Sequence, residues 1–371
     1  MGLAPYGAEN RSIEDPLRDL LEIGVDYDVT PLTKNGYNGT SWKLEELFGR
    51  EASTQTESFT QWEKDLAFTT QKLTEEIVVS IVESYTAKLN HDNVALAGGV
   101  ALNCKMNKRI MELPDVDLFV QPVAHDGGLV IGGGYIDSDP SDVEPMSHVY
   151  WGPEYDDESV RAQLEANKIP YSEPENFYEV VAEKLADGEI VGWFQGSLEM
   201  GPRALGNRSI LADPRTETSR DNVNKYVKHR EEWRPFAPSM LESAVETYLE
   251  NAEQSPFMIK TFDTVPEKRD KIAAALHPGD NTTRPHTVSQ EVNPRYYRLI
   301  SEFESITGVP VVLNTSFNDG GEAIVTRPVE ALRDFYGMGL DTLAIGSFLI
   351  EKGEQKPNKA RTDTVVQSNE K

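Results

Sequence analysis

The chain has 371 residues, 36 Lys and Arg against 62 Asp and Glu, and a formal net charge of -26; a single core usually stops growing below this length, so two domains are expected. Such a field repels phosphate chains and excludes nonspecific nucleic-acid binding, while one cysteine, Cys104, excludes an intramolecular disulfide and a thiolate zinc cage. No run of about 18 apolar residues marks a membrane span, and MGLAPYGAEN lacks leader character, so a soluble, cytoplasmic protein is expected. Acid is spread along the chain, as in DDES at 156–159 and SDPSDVE at 138–144. That pattern fits a salt-loving source and an ordinary acidic protein alike.

Residues 1 to about 60 are polar and mixed, with a Gly/Asn-rich turn at NGYNGTS, and show no compact unit. From Trp62 to Leu89, Leu66, Leu73, Ile77, Ile81, Val82 and Tyr85 recur at spacings that predict a helix with one buried face. His91, Asp92 and Asn93 break it. A short strand, VALA at 94–97, then meets Gly98 and Gly99 ahead of a helix through NCKMNKRIMEL, and a second strand, LFVQP at 118–122, runs into HDGGLVIGGG. The polar, proline-bearing segment 137–155 reads as an interdomain link.

Beyond it come a helix from Tyr178 to Ala186, a strand EIVGWFQG, a helix PRYYRLISEFESITG ending at Gly308, and a buried strand VPVVLN. Thr326 is placed to cap a helix with Pro328 in its first turn, which stops near 337–339. TLAIGSFLI reads as the closing strand. After Lys352 the composition is too polar to pack, which predicts a disordered tail over 353–371.

Against this acidic background the segment 203–234 carries eight Lys and Arg against five Asp and Glu, so an anionic ligand is expected there. Gly201, Pro202 and Gly206 stiffen the backbone around Arg203 and Arg208, whose guanidiniums can grip phosphate or carboxylate bidentately. Lys228 and Arg230 stand two apart and would point the same way on a strand. A salt-bridged surface loop answering Asp213, Glu231 and Glu232 is the competing reading. Asn314, Thr315, Ser316 and Asn318 follow a buried strand, where they can bind a nucleotide or order a turn. The Gly98-Gly99 turn can hold a phosphate at a helix start or serve only as a tight turn. Asp126, between His125 and Gly127, is a metal-ligand candidate or an ordinary Asp-Gly turn.

The runs LAGGVALNCKMN, VQPVAHDGG, GWFQGSLEMGPRALGNRSILADPR, VKHREEWRPFAPSM, VPVVLNTSFNDGGEAIV and LDTLAIGSFLI resemble, in unbroken order, the O-carbamoyltransferases of nodulation-factor and antibiotic biosynthesis. The resemblance implies an α/β protein: the C-terminal portion of an actin-like ATPase (ASKHA) domain over 1–160, then a YrdC-like domain with a twisted mixed sheet over 170–352. It implies that carbamoyl phosphate and ATP with Mg2+ are converted to carbamoyl adenylate, and that the carbamoyl group passes to a hydroxyl of a small acceptor. Arg203, Lys228 and Arg230 then fall in the activating site as catalytic residues. Arg208, Arg234, Arg284, Asn314, Ser316 and Asn318 fall there as nucleotide or carbamoyl phosphate ligands. Gly98, Gly99 and Asn103 fall in the transferase part's nucleotide segment, and Asp126 on its iron or other divalent-metal ligand. No nucleic acid or membrane partner is implied, and a homodimer is left open.

One departure stands out. MGLAPYG is internal in that family, behind a His-x-x-x-His metal pair, whereas here it opens the chain and no two of the six histidines have that spacing. A misplaced start or a truncation is the expectation. Three activities remain in view: complete carbamoyl transfer, adenylate formation or carbamoyl phosphate hydrolysis alone, and a non-catalytic remnant.

Overall fold

The computed structural model describes residues 1–32, 41–53, 58–231 and 233–352. The NGYNGTS turn (but for Ser41), Glu232 and the predicted tail lie outside the described residues. The first part contains α1 (Arg11–Leu20), α2 (Ser41–Phe48) and α3 (Gln61–Leu89), then β1 (Asn93–Leu96), α4 (Cys104–Met111), β2 (Asp117–Val120) and α5 (Leu129–Ile136). Helix α3 starts on a capping box, in which Glu63 Oε2 accepts the Thr60 N–H at 2.6 Å, and ends on Asn90 in the left-handed region. Its burial differs from the predicted stripe: Leu73 and Val82 are buried, Leu66, Ile77 and Ile81 half-buried, and Tyr85 exposed. The helix is packed on more than one side, and polar Asp65, Thr69 and Gln71 are buried along it.

β1 and β2 form a parallel pair. Leu118 and Val120 pack with Met106, Ile110 and Val82 into a core that also takes in Leu205 and residues 257–259, so this unit is joined to the rest through side chains. Its other side is open: Phe119 is exposed, and α5 leaves Leu129, Val130 and Ile136 (84 % exposed) to solvent.

The second part contains α6 (Asp157–Ala166), α7 (Phe177–Ala186), β3 (Val191–Phe194), β4 (Arg208–Ala212), α8 (Glu217–Asn222), β5 (Ala237–Leu241), α9 (Val245–Tyr248), β6 (Phe262–Asp263), β7 (Thr282–Thr283), β8 (His286–Val288), α10 (Pro294–Thr307), β9 (Val311–Ser316), α11 (Pro328–Gly337), β10 (Thr342–Ile345) and β11 (Phe348–Glu351). Seven of these strands make one mixed sheet in the order β11-β10-β3-β4-β9-β5-β8. Side chains alternate across it. Val191, Trp193 and Ala344 meet α7 and α10 on one face, whereas Phe194, Ile210, Leu343 and Ile345 meet α6 and α11 on the other. The fold is therefore mixed α/β with a sheet covered on both faces.

Helix α10 begins on Asn293, whose Oδ1 accepts the Tyr296 N–H at 3.1 Å, and stops at Gly308 at φ +73, as the sequence predicts. Two expectations are corrected. TLAIGSFLI is a hairpin, β10 to β11, turning at Gly346 with φ +56. Thr326 does not cap α11; Glu330 Oε2 accepts the N–H groups of Thr326 and Arg327 at 2.8 and 3.1 Å, because a carboxylate in the first turn reaches both. No helix among the described residues is long and apolar enough to cross a membrane.

Candidate functional site

Arg203 rides on the loop between β3 and β4. Gly201 at φ +113 and Gly206 at φ +90 adopt conformations that favour glycine. A Cβ on Gly206 would lie 2.1 Å from the Tyr296 ring. The loop is tied inward: Trp193 Nε1 donates to Gly206 O at 2.8 Å, the Tyr150 hydroxyl to Leu205 O at 2.6 Å, and Asn314 Nδ2 to Ala204 O at 3.0 Å. The Arg203 side chain lines a pocket of about 330 Å³, together with Lys105, Arg230, Arg234, Arg284, Trp233 and Phe236 among others.

No carboxylate among the described residues lines that pocket. Lys105 is neutralised by Asp280 and donates to Thr282 Oγ1 at 2.7 Å, and Arg234 pairs with Glu231 at 2.9 Å. Arg230 Nε donates to Asn224 Oδ1 at 2.9 Å, with its guanidinium 4.5 Å over the Phe236 ring. Arg203 and Arg284 face each other without a carboxylate partner among the described residues, and Arg203 Nε is buried with no acceptor. Burial and then the charge of Arg284 push the Arg203 guanidinium down, and burial does the same to Arg284. Arg230 is pushed down to about 10 by burial and then by Arg234. Such a cluster is relieved by an anion.

Lys228 arrives differently from the sequence reading, which set it beside Arg230 on a strand. It ends a π-helix, Val223–Lys228, and His229 at φ +46 turns the chain before Arg230. Lys228 is 6 % exposed, and its Nζ donates to Ser316 O at 2.5 Å, Asn318 O at 2.9 Å and Asn318 Oδ1 at 2.8 Å, with Ser316 Oγ at 3.4 Å. Burial, then Arg230, pushes its ammonium down to about 7. Lys228, Ser316 and Asn318 are thus one cluster, adjoining Arg230.

Other candidates lie elsewhere. Arg208 belongs to β4, fully buried; its Nη1 donates to the carbonyls of Gln195, Gly196 and Asn207, its Nη2 to Pro153 O, and its guanidinium lies 3.7 Å over Phe194. It is an internal tie and does not share the pocket with Arg203, which corrects the paired-guanidinium expectation. Asn314 is buried in β9, donating to Ser239 Oγ at 2.9 Å as well as Ala204 O. The competing salt-bridged loop accounts only for part: Asp213 pairs with Arg215 and Glu231 with Arg234.

In the first part Gly98 turns at φ +94, and Gly99 opens a 3-10 turn instead of the helix itself. Asn103 caps α4, accepting the Met106 N–H at 3.2 Å and pairing with Gln71. Asp126 is exposed at the start of a short turn, and no group of three His, Cys, Asp or Glu among the described residues can hold a metal. The metal expectation at Asp126 therefore does not fit the residues around it.

Sequence reasoning missed Lys105, Trp233 and His277 in the pocket wall and Glu199 behind the loop. Trp233 was visible in the basic island as an aromatic between charges; Lys105 and His277 come from distant segments and carry no local signal.

Residues 1–134 match the family model described as Carbamoyltransferase N-terminus, and residues 182–352 match Carbamoyltransferase C-terminus. The chain belongs to the carbamoyltransferase family. This carbamoyltransferase-family chain is 37 % identical over 372 residues to nodulation protein NolNO of Sinorhizobium fredii, covering 96 % of this chain and 53 % of that protein. It is 32 % identical over 267 residues to 3'-hydroxymethylcephem-O-carbamoyltransferase of Amycolatopsis lactamdurans, covering 70 % of this chain and 49 % of that protein. The chain spans about half the length of the curated relatives it matches. The crystal structure of full-length HypF in its phosphate- and nucleotide-bound form aligns at 17 % identity with a TM-score of 0.30, over 49 % of this chain and 22 % of that one, and carries no argument.

Proposed function

We propose that the basic pocket binds carbamoyl phosphate and ATP, that the two are converted to carbamoyl adenylate, and that the carbamoyl group then passes to a hydroxyl of a small acceptor. The observation that carries this reading is the Arg203–Arg284 pair, two half-buried arginines facing one pocket with no carboxylate among the described residues to balance them. Water hydrolyses the carbamoyl–phosphate linkage to give carbamate and inorganic phosphate, a carbamate oxygen then bonds to the α-phosphorus of ATP, and the bond from that phosphorus to the bridging oxygen breaks to release pyrophosphate. Charge grows on non-bridging oxygens, so fixed cations and positioning suffice without a covalent nucleophile. Mg2+ would come with the nucleotide, since the described residues of the pocket offer no carboxylate to hold it. The domain reading that accompanies this, an actin-like part followed by a YrdC-like part, belongs to the same proposal.

A second reading, adenylate formation without transfer, is favoured by one observation: the surroundings of Asp126 supply no metal-ligand set among the described residues. We derive no transfer step through a metal there.

Pyrophosphate release from ATP with Mg2+, with and without carbamoyl phosphate, in molar potassium chloride tests the reading. Release that depends on carbamoyl phosphate and disappears in Arg203→Ala is expected. Its absence from a folded sample, or undiminished turnover in Arg203→Ala, overturns it.

A further inference from the structure

Among the described residues no side chain holds the Arg203 guanidinium in place. Its neighbour Arg284 repels it, and no acceptor meets its Nε. A long cationic side chain in that position would turn toward solvent unless the backbone beneath it is fixed.

Glu199, four residues earlier in the same loop, is 3 % exposed. Its Oε1 accepts three backbone N–H groups: Leu205 at 2.7 Å, and Asn207 and Arg208 at 3.2 Å each. All three donors follow Arg203 in sequence, so one carboxylate oxygen draws the residues on both sides of Arg203 into a closed ring. Hydrogen bonds from backbone N–H to a charged oxygen are the strong kind, and three on one oxygen fix the chain where a neutral side chain would not. The other oxygen, Oε2, is buried without a partner among the described residues. A buried carboxylate with one oxygen unsatisfied is costly as mere packing.

We infer that Glu199 is a positioning residue for the anion site, acting through Arg203: it shapes the loop that aims this guanidinium into the pocket and touches no substrate itself. The inference rests on the function proposed above, and its failure is separable from the failure of that reading.

The test compares Glu199→Gln, Glu199→Ala, Arg203→Lys and the double variant Glu199→Ala with Arg203→Lys in carbamoyl-phosphate-dependent pyrophosphate release, with thermal melting as the measure of folding. Glu199→Gln keeps the volume and an acceptor oxygen but removes the charge, so it carries the test even where Glu199→Ala fails to fold. Its kcat/KM for carbamoyl phosphate is expected to fall about tenfold, mainly through KM. Adding Glu199→Ala to Arg203→Lys should cost little further, because both changes act on one guanidinium. Parent-like kcat/KM in Glu199→Gln, or losses that simply multiply in the double variant, overturn the inference while leaving the pocket reading intact. A fully active Arg203→Lys together with a fully active Arg203→Ala removes the pocket reading and this inference with it.

Discussion

The two unbalanced guanidiniums set function against stability. Arg284 lies against Arg203 in a pocket lined by no carboxylate among the described residues, so Arg284→Met, which keeps much of the volume, should stabilise the chain by about 1 kcal/mol, or roughly 2–4 °C in melting temperature. Pyrophosphate should raise the melting temperature of the parent and leave that of Arg284→Met nearly unchanged. A variant less stable than the parent, with its anion response intact, would show that Arg284 is held by packing. Lys228 makes a different demand. Burial holds its ammonium at about 7 against an ordinary 10.5, so between those values the unfolded chain binds more protons than the folded one and stability rises with pH. The cost is complete below about pH 7 and gone above 10.5. Lys228→Met removes this titration; the parent's unfolding free energy, relative to the variant's, should climb between pH 7 and about pH 10 with a slope of up to about 1.4 kcal/mol per pH unit. Urea melts of both proteins at the two pH values check this, and a flat difference would place the ammonium near its ordinary range.

Among the elements, the β3–β4 loop is where local geometry is least forgiving. Gly206 and Gly188 both have positive φ, +90 and +85. A Cβ on Gly206 meets the Tyr296 ring at 2.1 Å, and one on Gly188 meets nothing within 4 Å. Gly188→Ala should therefore cost only the backbone strain, about 1–2 kcal/mol. Gly206→Ala should cost more, by about 1–3 kcal/mol of overpacking; equal losses in chemical denaturation would mean that Tyr296 moves aside freely. Elements with marked patterns were legible in the sequence: α10 as a helix ending at Gly308, α3 with its regular apolar spacing, β9 as an apolar run. The β10–β11 hairpin was not, because both strands are buried on both faces and read as one apolar run. The basic island was legible as a cluster of cations in Arg203, Arg230 and Arg234, which line one pocket, but charge counting could not separate them from Arg208. The Nη1 and Nη2 groups of that residue are held by carbonyls from 153, 195 and 196, segments brought beside it only by the tertiary fold. The Lys228 cluster was legible in its members and not in its geometry, since a π-helix has no short-range signature distinct from an α-helix.

At the scale of the whole molecule the net charge of -26 and the basic pocket respond to salt in opposite directions. Like charges over the surface repel one another and destabilise the compact state, and added ions screen them, with a Debye length that shortens from about 10 Å at 0.1 M to about 3 Å at 1 M. The melting temperature should therefore rise with potassium chloride. The same screening weakens the attraction of Arg203, Arg230 and Arg284 for an anion, and chloride competes for them directly, so the KM for carbamoyl phosphate should rise over the same range. The attraction is short-ranged and partly buried, where salt screens less than it does at the surface. Stability should accordingly change steeply at low salt while KM changes gradually, leaving an activity optimum at intermediate or high salt at assay temperatures near the low-salt melt. Thermal melts and steady-state kinetics from about 0.1 to 3 M potassium chloride measure both trends on one preparation. Melting temperatures that fall with salt would mean that attractive ion pairs such as Arg18–Glu76 and Lys72–Glu14 outweigh the net repulsion. A KM independent of salt would mean that the carbamoyl phosphate site is neutral, and so is not the pocket of Arg203 and Arg284.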